Sequence, residues 1–380
     1  MRGPAPAPVV LAAGGTRGHV FPAEALAAAL IRRGRRIVLF TDARTKIGPE
    51  SIFSGYEHFV IPGGGIAGRG VAGAALGALK LGVGVIVAAR ILRRLRPAAL
   101  VAFGGYPAIA PVLASGVLAS RIPVILHEQN AVLGRANRGL ARIASRLALS
   151  FAETERVPAG WVPAGRVTMV IGNPVRQAVL RFAAIPYAPP AEGEAIRLLV
   201  LGGSLGARVM SEVVPPALAA LPQALRARLA VAQQCRAEDL ARVAALYREA
   251  GIDARCEAFF TDVPERLASA HLVIARAGAS TIAELAAIGR PAILVPLPGA
   301  IDDHQSANAR AFGAGGVTIA QSAFTPARLA PLLSDLLADP TRLAAMAAAA
   351  KDAGGDAAER LADLTEAVLR VDAPGERGRA

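Results

Sequence analysis

Hydrophobic positions along the chain fall into short β-branched runs that alternate with longer helical patterns. The opening sets the rhythm. Val9 to Ala13 reads as a strand, GGTRGHVFP as a loop, Ala23 to Arg33 as a helix stopped by Gly34, and Arg36 to Phe40 as a second strand. Further strands are predicted at Ala98 to Phe103, Ile122 to Leu126, Arg197 to Leu201 and Ala292 to Pro296. Such alternation predicts an α/β fold with parallel sheets covered by helices on both faces, and ligands at the C-terminal ends of the strands.

Two stretches test this reading. Residues 97 to 120 carry no charge and are long enough to cross a membrane. Pro107, Pro111 and the Gly104-Gly105 pair break them instead into a strand, a tight turn and a helix. Near the middle, AAIPYAPPAEGEA (183–195) interrupts the pattern as a linker, after which the chain restarts. The restart LLVLGGSLGAR echoes VVLAAGGTRGH, and LVIARAGAST (272–281) echoes ALVAFGGYPA (99–108). Two pairs in the same order predict two similar doubly wound halves facing a cleft, 1–182 and 196–355; shared turn chemistry is the other explanation.

The 380 residues are 53% hydrophobic, enough for two cores and too apolar for a disordered chain. Formal charge is uneven: residues 1–190 sum to +16 and 191–380 to −3. With 4% aromatics and no nucleic-acid-reading motif, nucleic acid is excluded as a partner, and an anionic membrane surface or substrate fits better. Cys235 and Cys256 are too few for a disulfide framework, and no Cys/His spacing suggests a metal. The N-terminal apolar run VVLAA is shorter than a signal sequence, so no export is expected. Residues 61–96 are apolar and Gly-rich, interrupted by Lys80 and ending in Arg90, Arg93, Arg94 and Arg96. That is the pattern of an interfacial membrane element, or of a buried helix with a solvated basic end; the basic first half favours the membrane.

Candidate chemistry sits where strands end. The loop Gly14-Gly15-Thr16-Arg17-Gly18-His19 lacks dinucleotide spacing, yet a glycine turn before a helix brings backbone N–H groups and a positive helix end to a ligand. A capped turn is the bland alternative, and His19, a potential general base, tips the balance. Gly202-Gly203-Ser204-Leu205-Gly206 is the counterpart in the second half and suits a diphosphate. Thr281 and Glu284 form a T-x-x-E pattern that reads slightly better as a capping box than as a ribose ligand. His127-Glu128-Gln129-Asn130 and the cluster Asp302, Asp303, His304, Gln305 and Asn308 place polar side chains after two apolar strands.

Taken together, GGTRGHVFPA, FGGYPA, HEQN, GNPVR, LGGSLGAR, RAGASTIAEL and DDHQSANA, in this order over about residues 8 to 350, resemble the MurG family of peptidoglycan N-acetylglucosaminyltransferases. The resemblance implies a GT-B fold, two Rossmann-like domains with the acceptor side N-terminal and the UDP-sugar side C-terminal. It implies inverting transfer of N-acetylglucosamine from UDP-GlcNAc to lipid I, with no cofactor or metal, by a peripheral protein on the cytoplasmic face of the cell membrane. Anionic lipids and cell-wall elongation or division proteins are its implied partners. Residue by residue, Thr16, Arg17 and Gly18 occupy the first glycine-loop positions, and Asn130, Arg176 and Ser204 match donor contacts. Phe260 falls where the family holds uracil through its backbone. Ala279, Ser280, Thr281, Ile282, Ala283 and Glu284 form the nucleotide segment, with Glu284 on ribose, and Gln305 stands near the donor sugar. His19 is the candidate base. Gly104, Gly105, Tyr106 and Glu128, with Lys80, Arg90, Arg93 and Arg94, fall on the acceptor and membrane side. The last helix, within 356–380, packs back on the first domain in other GT-B proteins. Arg17 stands where the family usually has glycine, so it either carries strain at a positive φ or adds a guanidinium for the acceptor diphosphate. Two rival functions are a GT-B transferase using another lipid such as diacylglycerol, and a non-catalytic sugar-nucleotide-binding scaffold.

Overall fold

The apolar runs form strands, and the glycine and proline punctuation forms turns, in a computed structural model that describes residues 6–63, 70–117, 122–158, 167–203, 206–351 and 356–371. The chain divides into two units, Met1–Arg176 with Asp356–Ala380, and Gln177–Gly355. The first contains β1 (Val9–Ala12), α1 (Arg17–Arg32), β2 (Ile37–Thr41), β3 (His58–Val60), α2 (Gly70–Leu95), β4 (Ala99–Ala102), α3 (Gly105–Val117), β5 (Val124–Glu128), α4 (Arg135–Leu140), β6 (Arg146–Leu149) and β7 (Val167–Val170). The second contains α5 (Gln177–Leu180), β8 (Ile196–Leu201), α6 (Arg208–Ala219), α7 (Gln223–Arg226), β9 (Leu229–Gln234), α8 (Leu240–Glu249), β10 (Asp253–Glu257), α9 (Val263–Ser269), β11 (Leu272–Ala275), α10 (Ala279–Ile288), β12 (Ala292–Leu294), α11 (His304–Phe312), β13 (Gly316–Thr318), α12 (Pro326–Ala338) and α13 (Pro340–Ala350). The chain then returns to the first unit with α14 (Ala357–Val371).

Among the described residues each unit has one sheet, in the order β3-β2-β1-β4-β5-β6-β7 and β10-β9-β8-β11-β12-β13, with parallel pairing. Both orders step outward from the first strand and then reverse, the doubly wound pattern, so the switch points lie between β1 and β4 and between β8 and β11. The two sequence echoes are therefore the two strand ends that flank each switch point.

Period-2 alternation explains why strands of the first unit are apolar throughout. Val10, Ala12, Val38, Phe40, Leu100 and Ala102 face α2 and α3, while Val9, Leu11, Ile37, Leu39 and Val101 face α1 and α14. On that second face α14 buries Leu361, Ala362 and Leu364. Its acidic side meets the end of α1: Arg32 pairs with Glu359 at 2.5 Å, Arg33 with Glu359 and with Asp363 at 2.7 Å, and Arg35 with Glu366 at 2.9 Å. These exposed or half-exposed pairs orient the helix; the buried apolar residues supply most of the stabilisation.

The structure departs from the sequence reading at α1, which begins at Arg17 rather than Ala23. Pro22 lies inside the helix, but its ring and missing N–H affect only the carbonyl four residues back, Gly18, in the first turn. Gly34, at φ 72°, ends the helix as expected for a left-handed stop. Residues 97–120 give β4 and α3 around Gly104 and Gly105 at φ 78° and 68°, with 118–120 outside the described residues. The Pro-rich stretch 183–195 belongs to the second unit, where Lys351 Nζ donates to the Ala183 carbonyl at 2.5 Å and Tyr187 Oη donates to the His271 carbonyl at 2.9 Å.

Candidate active site

In the first unit the loops after β1 and β4 converge. Gly14 is buried where a Cβ would lie 2.6 Å from both Thr41 Oγ1 and Thr45 Oγ1, and Gly15 adopts φ 78° with its N–H donating to Thr45 Oγ1 at 2.9 Å. Thr16 is the N-cap of α1, extended at φ −136°, and its Oγ1 lies 3.1 Å from His19 Nδ1. Arg17 is the first residue of α1, so the left-handed position belongs to Gly15 and the strain reading for Arg17 is overturned. Gly18 follows within the same helical turn. His19 packs on the β4 loop: a Cβ on Gly105 would lie 3.2 Å from its Cε1 and 3.4 Å from its Nδ1. Gly105 is thus glycine for two reasons, its φ and the imidazole beside it. Tyr106, next along, is exposed.

The HEQN segment spans the end of β5 and the loop behind it. Glu128 is buried and points inward. Its Oε1 accepts from Asn130 N at 3.0 Å and Asn130 Nδ2 at 3.1 Å, while its Oε2 accepts from Gly134 N at 2.9 Å and Asn137 Nδ2 at 2.8 Å. Four donors on one carboxylate organise the loop that carries Asn130. Asn137, which the motif reading passes over, also lies 3.4 Å from where a Cβ on Gly104 would stand. Arg176 of GNPVR stacks on Phe21 of α1, guanidinium to ring centroid 3.8 Å. One turn further along α1, burial raises the pKa of Glu24, opposed by its bond from Ser51 and by the charge of Arg176. The first unit therefore gathers His19, Thr16, Gly105 and Arg176 around the start of one helix.

In the second unit Gly202 needs its missing side chain, because a Cβ there would fall 2.2 Å from Ala207 N; Gly203 and Gly206 adopt φ 90° and 70° before α6 begins. Ser204 lies outside the described residues. Across the switch point, α10 starts after Gly278, which has no side chain to cap it. Ala279, Ser280 and Thr281 form its first turn, Ile282, Ala283 and Glu284 the next residues. Thr281 is therefore inside the helix, and the capping-box reading of Thr281 and Glu284 is wrong: glycine holds the N-cap position. Among the described residues, the buried Ser280 hydroxyl has no hydrogen-bond partner. Phe260 is buried under the Arg266 guanidinium, 4.0 Å from its ring centroid.

Gln305, on α11, accepts from Leu297 N at 2.9 Å and so braces the loop between β12 and α11. That loop contains Asp302 and Asp303 at φ 56° and 53°, a left-handed backbone that non-glycine residues adopt at a cost of about 1 kcal/mol or more each. Sequence reasoning quotes RAGAS but gives Arg276 no role. The structure shows it buried, donating to the Val295 and Pro296 carbonyls at 3.0 and 3.2 Å and to Gln321 Oε1 at 2.6 Å, which ties the α10 loop to the end of β12. Among the described residues, no three His, Cys, Asp or Glu side chains gather as a metal site.

Lys80, Arg90, Arg93 and Arg94 are all exposed on α2. The same helix exposes Leu76, Leu79, Val83 and Ile86, while Gly77, Gly84, Ala88 and Leu92 are buried. The most apolar 18 residues within Ala75–Leu95 have a mean hydropathy of 1.9, and 22% of them are buried. Residues 64–69 of the apolar stretch lie outside the described residues.

Residues 9–149 match the glycosyltransferase family 28 N-terminal domain and 197–365 its C-terminal domain. The UDP-N-acetylglucosamine–N-acetylmuramyl-(pentapeptide) pyrophosphoryl-undecaprenol N-acetylglucosamine transferase of Granulibacter bethesdensis is 58% identical over 95% of this chain and 94% of its own. The enzyme of the same name from Rhodospirillum rubrum is 52% identical over 96% and 92%. Among solved structures, Acinetobacter baumannii MurG is 31% identical, covering 95% of this chain and 100% of its own, with a TM-score of 0.73. The calicheamicin glycosyltransferase CalG4, 18% identical with a TM-score of 0.62 over 96% and 99%, shares the fold alone. Two parallel-sheet α/β units with these neighbours constitute a GT-B fold, and the chain belongs to the MurG family within glycosyltransferase family 28.

Proposed function

We propose that the chain transfers N-acetylglucosamine from UDP-GlcNAc to the C4 hydroxyl of the N-acetylmuramyl sugar of lipid I, with inversion at the anomeric carbon, forming lipid II. The observation that carries this reading is identity of 50 to 58% over nearly the whole chain to enzymes named for that transfer. Glycine-rich loops at both switch points support it, since each sheet offers a ligand its strand ends there.

In this reading His19 is the base. Its Nδ1 lies 3.1 Å from Thr16 Oγ1, a contact that holds the imidazole at the start of α1, and the ring takes the proton of the acceptor hydroxyl. The hydroxyl oxygen then bonds to the anomeric carbon as the bond from that carbon to the UDP oxygen breaks. Arg176, Ser204 with its glycine loop, and the glycine-capped start of α10 take up the charge of departing UDP. Glu284 accepts from the ribose hydroxyls, Phe260 holds the uracil through its backbone, and Gln305 stands by the donor sugar. Glu128 serves indirectly by fixing Asn130. The reaction uses no metal, so a chelator leaves turnover unchanged.

The exposed apolar stripe of α2, bordered by cations, lies against the anionic cytoplasmic surface of the cell membrane. The helix is long enough to span a bilayer, but the edge carrying Gly77, Gly84, Ala88 and Leu92 is buried in the first unit, which supports a surface position. The test of the reaction is product configuration: NMR of the disaccharide formed with a lipid I analogue gives a β linkage from the α-linked donor, and an α linkage would refute inversion. His19→Ala lowers kcat by about 10²- to 10⁴-fold with little change in donor KM; a fall no larger than that of a distant surface variant would remove the base assignment.

A further inference from the structure

His127 and Gln129 are the two residues of HEQN that the mechanism leaves without a role. His127 is fully buried at the end of β5. Its Nε2 lies 3.1 Å from the Gly172 carbonyl oxygen and its Nδ1 lies 2.9 Å from Gln129 Nε2. A carbonyl only accepts and the amide nitrogen only donates, so the two neighbours fix one neutral tautomer, with the proton on Nε2. Burial pushes the pKa down to about 4, against the opposing bond to Gly172, so the ring stays uncharged near neutral pH.

Gly172 opens GNPVR, a segment that follows β7 without regular structure before Arg176. It adopts φ 82°, and its N–H and that of Ile171 donate to the Leu149 carbonyl at 3.3 and 2.9 Å. Leu149 thus holds the amide side of Gly172 and His127 its carbonyl side, while Arg176 is held four residues later by Phe21. From β5 the imidazole reaches past the end of β6 to the chain leaving β7, and its other neighbour is the Phe103 ring, 5.5 Å between centroids.

We infer that His127 is a positioning residue of the transfer: by donating from Nε2 to the Gly172 carbonyl, it holds the GNPVR segment where Arg176 meets the departing diphosphate. The inference rests on the function proposed above and adds a role outside the contact set. The bond, not the bulk, carries the effect, because the half-buried Gly172 carbonyl, left without its donor, is free to turn and carry the loop with it.

Two variants separate donor from shape. Phe at 127 keeps a flat ring against Phe103 and removes the donor; Gln keeps an N–H able to reach Gly172. The wild-type enzyme is first shown to release UDP in the presence of a lipid I analogue; absence of release would refute the proposed function itself. His127→Phe then raises the UDP-GlcNAc KM and lowers kcat, together by about tenfold or more in kcat/KM. The lipid I analogue KM stays within about twofold, and His127→Gln recovers most of the loss. If His127→Phe retains wild-type donor kcat/KM, or if Gln and Phe lose activity equally with equal falls in melting temperature, the positioning role is overturned. NMR of wild-type protein labelled with ¹⁵N-histidine supplies a check that no unfolded variant can void. It shows a slowly exchanging proton on Nε2 of His127, whereas a proton on Nδ1 would refute the bond.

Discussion

Gly105→Ala changes one atom and bears on the arrangement that places the base. At φ 68°, an alanine pays roughly 1–2 kcal/mol for left-handed backbone. Lower entropy in the unfolded chain offsets about 0.4–1 kcal/mol of that, leaving a net loss near 1 kcal/mol, a melting shift of about 2–4 °C for a unit of this size. The second effect is local. The new Cβ would stand 3.2 Å from His19 Cε1 and 3.4 Å from Nδ1, inside the ordinary carbon contact of about 3.5–4 Å, so the imidazole moves by a few tenths of an ångström. Since a displacement near 1 Å costs on the order of 10²-fold, the expected fall in kcat is about three- to tenfold. Gly34→Ala is the control: φ is 72°, no atom of the described residues lies within 4 Å of where its Cβ would stand, and it sits past the far end of α1. Melting curves and steady-state kinetics with a lipid I analogue are measured for both. Similar destabilisation with a kcat loss only for Gly105→Ala supports the reasoning; equal kcat for the two variants would refute the contact between Gly105 and His19 as a determinant of turnover.

Other consequences follow from burial and exposure. His127 has a native pKa depressed from 6.5 to about 4, so stability is intact above 6.5 and declines as pH falls towards 4, where the unfolded chain takes a proton that the native state refuses. The loss reaches roughly 3 kcal/mol at about 1.4 kcal/mol per unit. Urea unfolding from pH 7 to 4.5 shows that slope weakened in His127→Phe, and an unchanged slope would assign it to other groups. Leu361→Ala removes a fully buried side chain of α14 and costs about 2–5 kcal/mol. Hydrogen exchange then accelerates at α1 and β1 and not at β8 or β11; a uniform change would mean that α14 stabilises no particular unit. Leu79→Glu with Ile86→Glu, both at exposed positions, leaves melting nearly unchanged and lowers co-sedimentation with anionic vesicles several-fold. Wild-type binding that is equal on neutral vesicles or insensitive to salt would exclude an electrostatic share.

The repeating chemistry of strand ends is legible in the sequence, because a glycine turn between a buried strand and a helix leaves a local signature. VVLAAGGTRGH and LLVLGGSLGAR both become such turns, and their pairing with ALVAFGGYPA and LVIARAGAST falls on the two switch points. Strand order itself is not legible, since β1 pairs with β4 across more than 80 residues and no local pattern encodes it. The start of α1 is misread because Pro22 normally argues against a helix, yet here its forfeited bond falls in the first turn. Thr281 and Glu284 show the opposite failure: they have capping-box spacing, but the helix already begins after Gly278. Arg276 and Asn137 escape notice because their partners are backbone carbonyls or distant residues, contacts that no motif announces. The inward turn of Glu128 is hidden for the same reason, since a carboxylate among polar neighbours reads equally well as a ligand or a brace.

The most direct test of the central claim is UDP release from UDP-GlcNAc by the full chain, with a soluble lipid I analogue, with diacylglycerol, and with no acceptor. Release is expected only with the lipid I analogue, in step with a disaccharide product identified by mass. Release with diacylglycerol in its place, or UDP-GlcNAc binding without release in any arm, would contradict that claim.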